Sequence, residues 1–210
     1  LEATIIKGLT FRTELSGDYN NNKYYYYMPD YRFGIKTSDT RTSRWTATNT
    51  KYWSWRNIFT YTNTFGRHAI NAMVGQEMSH NHYETQVVSA TGFPSNSATD
   101  PSAGSNDNST PVGYQDNNSL FSYFGRAYYC YDDRYLATFT LRRDGSSNFA
   151  DGNRWGWFPS AALAWRVSSE KFMDNVKWIN NLKLRLGWGE TGNQNVENWA
   201  YMALLTTYNT

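Results

Sequence analysis

The sequence predicts an all-β fold, an antiparallel transmembrane β-barrel, and three observations lead to this prediction. Aromatic residues make up 18% of the 210 residues, although the mean hydropathy is −0.72. Apolar and polar residues alternate with a period of two in one segment after another. The connections between these segments alternate in length, short on one side and long on the other. Every second residue of a barrel strand faces the lumen and is polar, so the mean hydropathy of such a strand is low. The Trp and Tyr rings suit a membrane interface.

Eight segments of the chain are predicted to be strands. In the first of them, Leu9, Phe11 and Leu15 alternate with Arg12 and Glu14, as expected for a strand with two different faces. The segment 119–131 has rings on both faces, so its inward side is left open. The predicted strands cover residues 8–19, 51–65, 67–79, 119–131, 135–143, 155–167 and 181–189, and a last one begins near Trp199.

The predicted connections follow the pattern of outer-membrane barrels, whose long loops lie outside the cell. Long loops are expected at residues 20–48 and 80–118, short turns at 64–67 and 132–134, and a medium loop at 144–154. Asp144 and the following glycine favour a turn at the start of that medium loop. The segment SSEKFMDNVKWINN is expected to form a short helix or a structured turn, capped by Ser168 or Ser169.

Alternation also predicts which side chains face lipid and which face the lumen. The residues expected to face lipid are Phe139, Leu163, Trp165, Leu184 and Leu186. The lumen-facing set is Arg142, Arg166, Lys183 and Arg185. The membrane-interface aromatics are Trp155, Trp157, Trp165 and Trp188.

No chemical motif in the sequence argues for an enzyme, a metal or a cofactor. His80 and His82 could face one side of a strand, but no third ligand stands at a compatible spacing. Asp132 and Asp133 fit a turn better than a catalytic carboxylate pair. The stretch GWGETGNQN lacks the Lys-Ser/Thr of a phosphate-binding loop. The net charge of +2 is too small to indicate nucleic acid as a partner, and Cys130 fits a small, partly buried strand residue.

Residues 131–173 closely resemble the SusC/RagA family of TonB-dependent outer-membrane transporters. The resemblance rests on the ordered motifs RRDGSSNF, WGWFPS and SSEKFM, and it continues in LKLRLGWGETGNQ and SYFGRAYYCYDDRYL. It implies a barrel of about 22 strands with a plug in its lumen, in the outer membrane of a Gram-negative bacterium. It further implies import of a glycan or peptide driven by TonB, with a SusD-like lipoprotein over the outer mouth.

Under this resemblance, residues 1–210 are expected to be an internal part of the barrel domain. The plug, the TonB box and the C-terminal strands are not recognisable in the sequence, and LEATIIKGLTF lacks the features of a signal peptide. Tyr25, Tyr26 and Trp45, in the first long loop, are the candidate substrate-binding residues, because aromatic faces can stack on sugar rings or peptide side chains.

Two alternatives stay open at the level of sequence. The first is a self-contained eight-stranded outer-membrane barrel, which should have its own signal peptide and closing strand. The second is a secreted β-sandwich that binds carbohydrate, which should have apolar inner faces on both sheets. The sequence upstream of Leu1 would separate these readings from a transporter.

Overall fold

A computed structural model describes residues 1–105, 110–176 and 178–194, and its architecture is an antiparallel β-sheet. Eight strands form one sheet in the order β1-β2-β5-β6-β7-β8-β9-β10, while β3 and β4 form a separate hairpin. Within the described ranges, no helix is long and apolar enough to cross a membrane. The strands are β1 (Glu2–Ile6), β2 (Leu9–Met28), β3 (Tyr31–Phe33), β4 (Lys36–Ser38), β5 (Thr42–Phe65), β6 (His68–Thr91), β7 (Thr110–Tyr131), β8 (Tyr135–Ser146), β9 (Trp155–Arg166) and β10 (Lys183–Gly189).

Seven of the eight predicted strands are confirmed, and the predicted strand near Trp199 lies outside the described residues. The sequence prediction missed β1, which pairs with β2 through partners such as Ala3 and Phe11. The EATII segment is only five residues long and does not alternate clearly between apolar and polar residues, so the period-two criterion could not detect it.

The two long loops were predicted too long. The second strand continues to Met28 and the fifth begins at Thr42, so the first link is residues 29–41 and contains the β3–β4 hairpin. The sixth strand continues to Thr91 and the seventh begins at Thr110, which leaves 92–109 as the second link. Polar runs such as NNNK extend these strands because backbone hydrogen bonds, rather than apolar side chains, hold a sheet together.

The turns show two successes and two corrections. A short turn with Gly66 at a φ of 60° joins β5 to β6, within the predicted range 64–67. Asp132 and Asp133 form the predicted tight turn, with positive φ angles of 53° and 52°. Asp144 does not start a turn, because β8 runs on to Ser146 and Asp144 pairs with Gly156 in β9. The segment 167–173 forms two single-turn 3-10 helices, Val167–Ser169 and Lys171–Met173. Neither has a side-chain cap, so the predicted serine cap is wrong.

The chain divides into two compact units. Unit 1 comprises residues 1–16, 54–80 and 118–210, and unit 2 comprises residues 17–53 and 81–117. Strands β2, β5, β6 and β7 contribute residues to both units.

The register within unit 1 fixes the face of every side chain from β7 to β10. Tyr123 lies opposite Arg143, which lies opposite Trp157, whereas the neighbouring Phe124 lies opposite Arg142. Leu184 lies opposite Trp165. Because successive residues alternate between faces, the side of 119–131 that sequence left open is settled: its even-numbered residues share the face of Arg142.

The sheet has no conventional hydrophobic core among the described residues. The buried hydrophobic residues are Ala90, Phe93, Cys130 and Val167, and Cys130, at 4% exposure, matches its sequence prediction. Large apolar side chains such as Leu186 and Trp157 are instead 73% and 56% exposed. A β-sandwich buries such side chains between two sheets, so the structure contradicts the sandwich alternative.

Candidate functional site

One face of unit 1 carries a chain of charged side chains that crosses several strands. We call it the polar network, and Arg56 is one of its two bridging residues. The Arg56 Nη2 atom donates to Oε1 of Glu77 at 2.8 Å, and its Nη1 atom lies 3.4 Å from Oε2 of Glu14. The network consists of Arg12, Glu14, Arg56, Glu77, Ser122, Arg142 and Asp144.

The second bridging residue of the polar network is Arg142. Its Nε atom donates to Asp144 at 2.7 Å, and its Nη2 atom donates to the buried hydroxyl of Ser122 at 2.9 Å. The same Nη2 atom lies 3.9 Å from a carboxylate oxygen of Glu77, which therefore stands between two guanidinium groups. The Glu77 side chain is only 17% exposed, so its interactions are screened less by solvent than those of a surface pair.

Three further basic residues lie on this face near the β9–β10 pair. Lys183 lies directly opposite Arg166, and Arg185 lies opposite Ala164. None of the three forms an ion pair with a described residue. Like charges opposite each other destabilise a strand pair, so this basic group is an arrangement that an anionic partner would stabilise. The structure thus places all four residues predicted to face the lumen on one side of the sheet.

The four predicted interface aromatics all lie on the opposite side of the sheet, with Trp155 and Trp157 near one end of β9 and Trp165 near the other. Trp155, Trp157 and Trp165 occupy alternate positions of β9, and Trp188 lies opposite Ala161 on the same side. The indole nitrogen of Trp165 donates to Oε1 of Glu170 at 3.0 Å.

Glu170 links the β9–β10 connection to the ends of the neighbouring strands. The Tyr135 hydroxyl donates to its Oε1 atom at 2.7 Å, and the Arg134 guanidinium lies 3.4 Å from its Oε2 atom. The pKa of Glu170 is held below its usual range by two hydrogen bonds, of which the one from Tyr135 has the larger effect and the one from Trp165 the smaller. The carboxylate is therefore charged at neutral pH and fixes the place where the chain turns between β9 and β10.

The three candidate substrate-binding residues do not form one cluster. Within unit 2, the rings of Tyr25 and Trp45 meet edge to face, with their centroids 5.0 Å apart. Tyr26 follows Tyr25 in the same strand, so its side chain projects from the other face. All three rings are exposed, by 60%, 38% and 40% for Tyr25, Trp45 and Tyr26 respectively. The prediction for these residues is untested by the structure.

Unit 2 also contains a clamp that the sequence prediction missed. The Arg41 guanidinium binds both carboxylate oxygens of Asp30, at 2.9 and 3.1 Å, and donates to the carbonyl oxygen of Phe93 at 2.8 Å. Asn96 accepts from Arg41 at 3.1 Å and from the Tyr27 hydroxyl at 3.2 Å. The Phe93 ring is 3% exposed and meets Tyr27 edge to face. The clamp therefore ties residues 92–96 to the link 29–41, and the Arg41 hydrogen bond lowers the pKa of Asp30.

A groove of about 350 Å³ lies at the loop end of β8 and β9 in unit 1. Phe158 packs against the backbone of Gly192 there, so closely that a Cβ atom at Gly192 would lie 2.3 Å from the ring. The Glu190 amide donates to the carbonyl oxygen of Pro159 at 2.9 Å. Gly192, the last glycine of GWGETGNQN, thus makes room for the Phe158 ring.

The structure shows no metal centre in the part of the chain that it describes. No group of three or more His, Cys, Asp or Glu side chains is arranged to hold an ion there. The His80 ring nitrogen contacts Ser119 at 2.9 Å, and that of His82 contacts Asn117 at 2.7 Å.

Comparison with known proteins identifies relatives of this chain. The family described as "TonB dependent receptor-like, beta-barrel" matches residues 4–208. TonB-dependent receptor SusC of Bacteroides thetaiotaomicron is 52% identical over 97 residues, which are 46% of this chain and 10% of that protein. TonB-dependent receptor P39 of Formosa agariphila is 30% identical over 207 residues, 97% of this chain and 20% of the relative.

Solved structures give the same result for the whole chain. The RagAB peptide transporter structure matches 100% of this chain with a TM-score of 0.90 and 27% sequence identity, over 23% of its own chain. A structure of the RagAB peptide importer in an open-open state matches with a TM-score of 0.89. The chain thus spans about a quarter or less of the length of these relatives. The resemblance to the SusC/RagA family is confirmed.

The polar network predicts a large effect for Glu77→Gln. This change removes the charge that separates Arg56 from Arg142 and leaves two guanidinium groups without their shared carboxylate. We expect the free energy of unfolding to fall by about 1–3 kcal/mol, measured by urea denaturation of the full-length protein in detergent. The matched control is Asp151→Asn, whose carboxylate is 88% exposed and pairs with Arg154. Its expected loss is under about 0.5 kcal/mol, and equal losses in the two variants would contradict an organised network.

The Arg41 clamp predicts a defined pH dependence for the link 29–41. The folded-state pKa of Asp30 is below its ordinary value, so the stabilisation is present above that ordinary value, about 4, and is lost as pH falls through the lower folded value. Hydrogen exchange, corrected for its intrinsic pH dependence, should show protection of residues 29–41 at pH 6 and loss of it only in strong acid. Asp30→Asn should remove this protection at pH 6 as well. Asp39→Asn, in an exposed pair with Arg32, should not, and protection that survives Asp30→Asn would show that the clamp does not order the link.

Proposed function

Because the chain belongs to the TonB-dependent receptor β-barrel family, we propose that it forms part of the wall of an outer-membrane nutrient importer. The family consists of transporters and receptors rather than enzymes, and SusC and RagA relatives are outer-membrane proteins of Gram-negative bacteria. Residues 1–210 are then one portion of the barrel domain. The plug and the TonB box belong to other parts of the longer protein.

The observation that carries this proposal is the sheet of unit 1, which exposes its large apolar side chains on one face and groups its charged side chains on the other. Its polar face holds the polar network and the basic group, and its aromatic face leaves Leu163, Leu184 and Leu186 more than half exposed. In water such a surface would drive association. In a bilayer the same surface is solvated by hydrocarbon, and the polar face lines the lumen. The aromatic face of this sheet is therefore better suited to contact with lipid than with water.

The energy source and the partner follow from the family. Import is driven by TonB acting through the plug, and a SusD-like lipoprotein covers the outer mouth. SusC and the RagAB transporter support this assignment, because RagA is a SusC-like transporter and these relatives imply pairing with SusD- or RagB-like lipoproteins. The polar network and the basic group then face the lumen, where the plug lies.

The substrate class is a glycan or a peptide. The printed title of the RagAB structure names peptide as its cargo, and that structure is 27% identical to this chain. The Tyr25–Trp45 pair supplies adjoining exposed rings on a strand that leads into the link 29–41. Such rings contact sugar rings and apolar peptide side chains equally well, so both cargoes are tested below.

Cysteine accessibility along β10 tests the membrane placement. Single cysteines at positions 183–187 of the full-length protein, in a Cys130→Ala background, are exposed to a membrane-impermeant maleimide in intact outer membranes. We expect labelling at positions 183, 185 and 187 and protection at 184 and 186, because the first set shares the polar face and the second set faces lipid. Uniform labelling, or the inverse pattern, would reject the placement in the wall.

Uptake tests the role of the exposed rings. Replacing Tyr25, Tyr26 and Trp45 together by Ala should lower uptake of the cognate oligosaccharide or peptide by about tenfold or more at limiting concentration, since each aromatic contact contributes about 0.5–1.5 kcal/mol, which is roughly twofold to tenfold per contact. The amount of protein in the outer membrane should stay constant. Trp53→Ala is the control, because Trp53 is 41% exposed and lies eight residues from Trp45 on the same strand. Uptake that is equal in the triple variant and in the wild type would place the substrate contacts elsewhere.

A further inference from the structure

Arg143 is the one formally charged residue among the paired positions that form the aromatic face of β7–β10. Every other residue on this face, from Phe121 and Tyr123 in β7 to Leu186 in β10, is aromatic, aliphatic or glycine, apart from Pro159. A guanidinium in such surroundings has a high desolvation cost unless something compensates its charge.

The side chain of Arg143 is held by aromatic rings rather than by an acid. Its guanidinium carbon lies 4.6 Å from the centroid of the Trp155 ring and 5.1 Å from that of Trp157. Tyr123 and Trp157 are its cross-strand neighbours in β7 and β9. Cation–π contacts of this kind favour the charge, but they do not satisfy the N–H donors of the guanidinium.

Those donors have no acceptor among the described residues. The Nε atom of Arg143 is buried and has no hydrogen-bond partner there, and the side chain forms no ion pair. The neighbouring Arg142 also lies over a ring, that of Phe124 at 5.7 Å, but it donates in addition to Asp144 and Ser122 on the other face. Two adjacent arginines thus occupy opposite environments, one with anionic partners in the protein and one without them.

The position of Arg143 along the strand indicates where a partner would come from. It lies three residues before the end of β8, next to the link 147–154 and far from the tight turn at Asp132 and Asp133. Tyr123 lies opposite it, and Phe121 and Trp155 both lie opposite Gly145, two residues nearer the link, with Trp155 stacked on Tyr123. Rings of this kind concentrate at the depth of lipid headgroups, where phosphate groups are available.

We propose that Arg143 and the two tryptophans form a binding site for the phosphate group of an outer-leaflet lipid. Because the Nε atom is buried, the two terminal Nη groups of the guanidinium supply the N–H donors that bind a phosphate bidentately, and the Trp155 and Trp157 rings contact the adjoining apolar part of the lipid. The site rests on the proposed outer-membrane placement of the aromatic face. It concerns retention of lipid on the wall and involves no step of transport.

The test compares Arg143→Gln with Arg154→Gln in the full-length protein. Arg154 lies at the same end of the β8–β9 pair but is ion-paired with Asp151 at 2.9 Å, so its removal changes net charge equally without touching the site. Each protein is reconstituted in phosphatidylcholine nanodiscs that contain diphosphoryl lipid A, and bound lipid A is counted by native mass spectrometry after detergent extraction. Dephosphorylated lipid A and inorganic phosphate serve as the other two probes.

The expected result is retention of diphosphoryl lipid A by the wild type and by Arg154→Gln, with about tenfold weaker retention by Arg143→Gln. Dephosphorylated lipid A should bind as weakly to the wild type as the phosphorylated form does to Arg143→Gln. Equal retention by all three proteins, equal loss in both variants, or displacement by millimolar inorganic phosphate would overturn the lipid site. Heat-modifiable migration and outer-membrane fractionation are followed in parallel. A protein that is absent from the outer membrane refutes the proposed function, whereas a correctly placed protein without selective lipid binding refutes only this site.

Discussion

The strict register between neighbouring strands is the constraint on which the rest of this structure depends. In unit 1 every pairing from β7 to β10 keeps the residues of one face together, as with Phe124, Arg142 and Phe158 on one side. A slip by one residue would bring Arg142 to the aromatic face and remove it from Ser122 and Glu77 on other strands. Since few apolar side chains are buried, the side-chain interactions on the polar face hold this register in addition to the backbone ladder.

The two faces compensate their charges by different means. On the polar face, carboxylates and guanidinium groups alternate from strand to strand, so that Glu77 lies between Arg56 and Arg142. On the aromatic face, Arg143 has ring faces around it and no carboxylate. Under the proposed placement in the barrel wall, this difference follows from solvent: a water-filled lumen tolerates surplus charge, as in the basic group of Arg166, Lys183 and Arg185, whereas a surface facing hydrocarbon does not.

The sequence alone predicted the faces of those side chains that follow the apolar–polar alternation. It failed for strand lengths and contacts that depend on residues far apart in the chain. The faces of Leu163 and Arg166 could be read from neighbours two residues away. The extension of β2 through its polar Asn residues could not, because only the partner strand makes that segment extended. The same holds for the clamp, in which Arg41 and Asn96 are 55 residues apart in the chain. The Asp144-Gly145 pair misled the turn prediction because local turn propensity was outweighed by the hydrogen bond to Arg142 and by pairing with β9.

The motifs that mark the family have a packing explanation in this structure. The backbone of Gly145, in RRDGSS, lies against the Trp155 ring, where an added Cβ atom would approach to 2.9 Å. The Gly192 backbone, in GETGNQ, lies under Phe158 in the same way. Each glycine therefore leaves space for a ring from the WGWFPS strand to pack on its backbone. This packing explains why RRDGSS, WGWFPS and GETGNQ occur together. They specify the construction of the wall. Under the proposed importer function, substrate selection is then expected of segments free of this requirement, such as the links 29–41 and 92–105, which the Arg41 clamp joins.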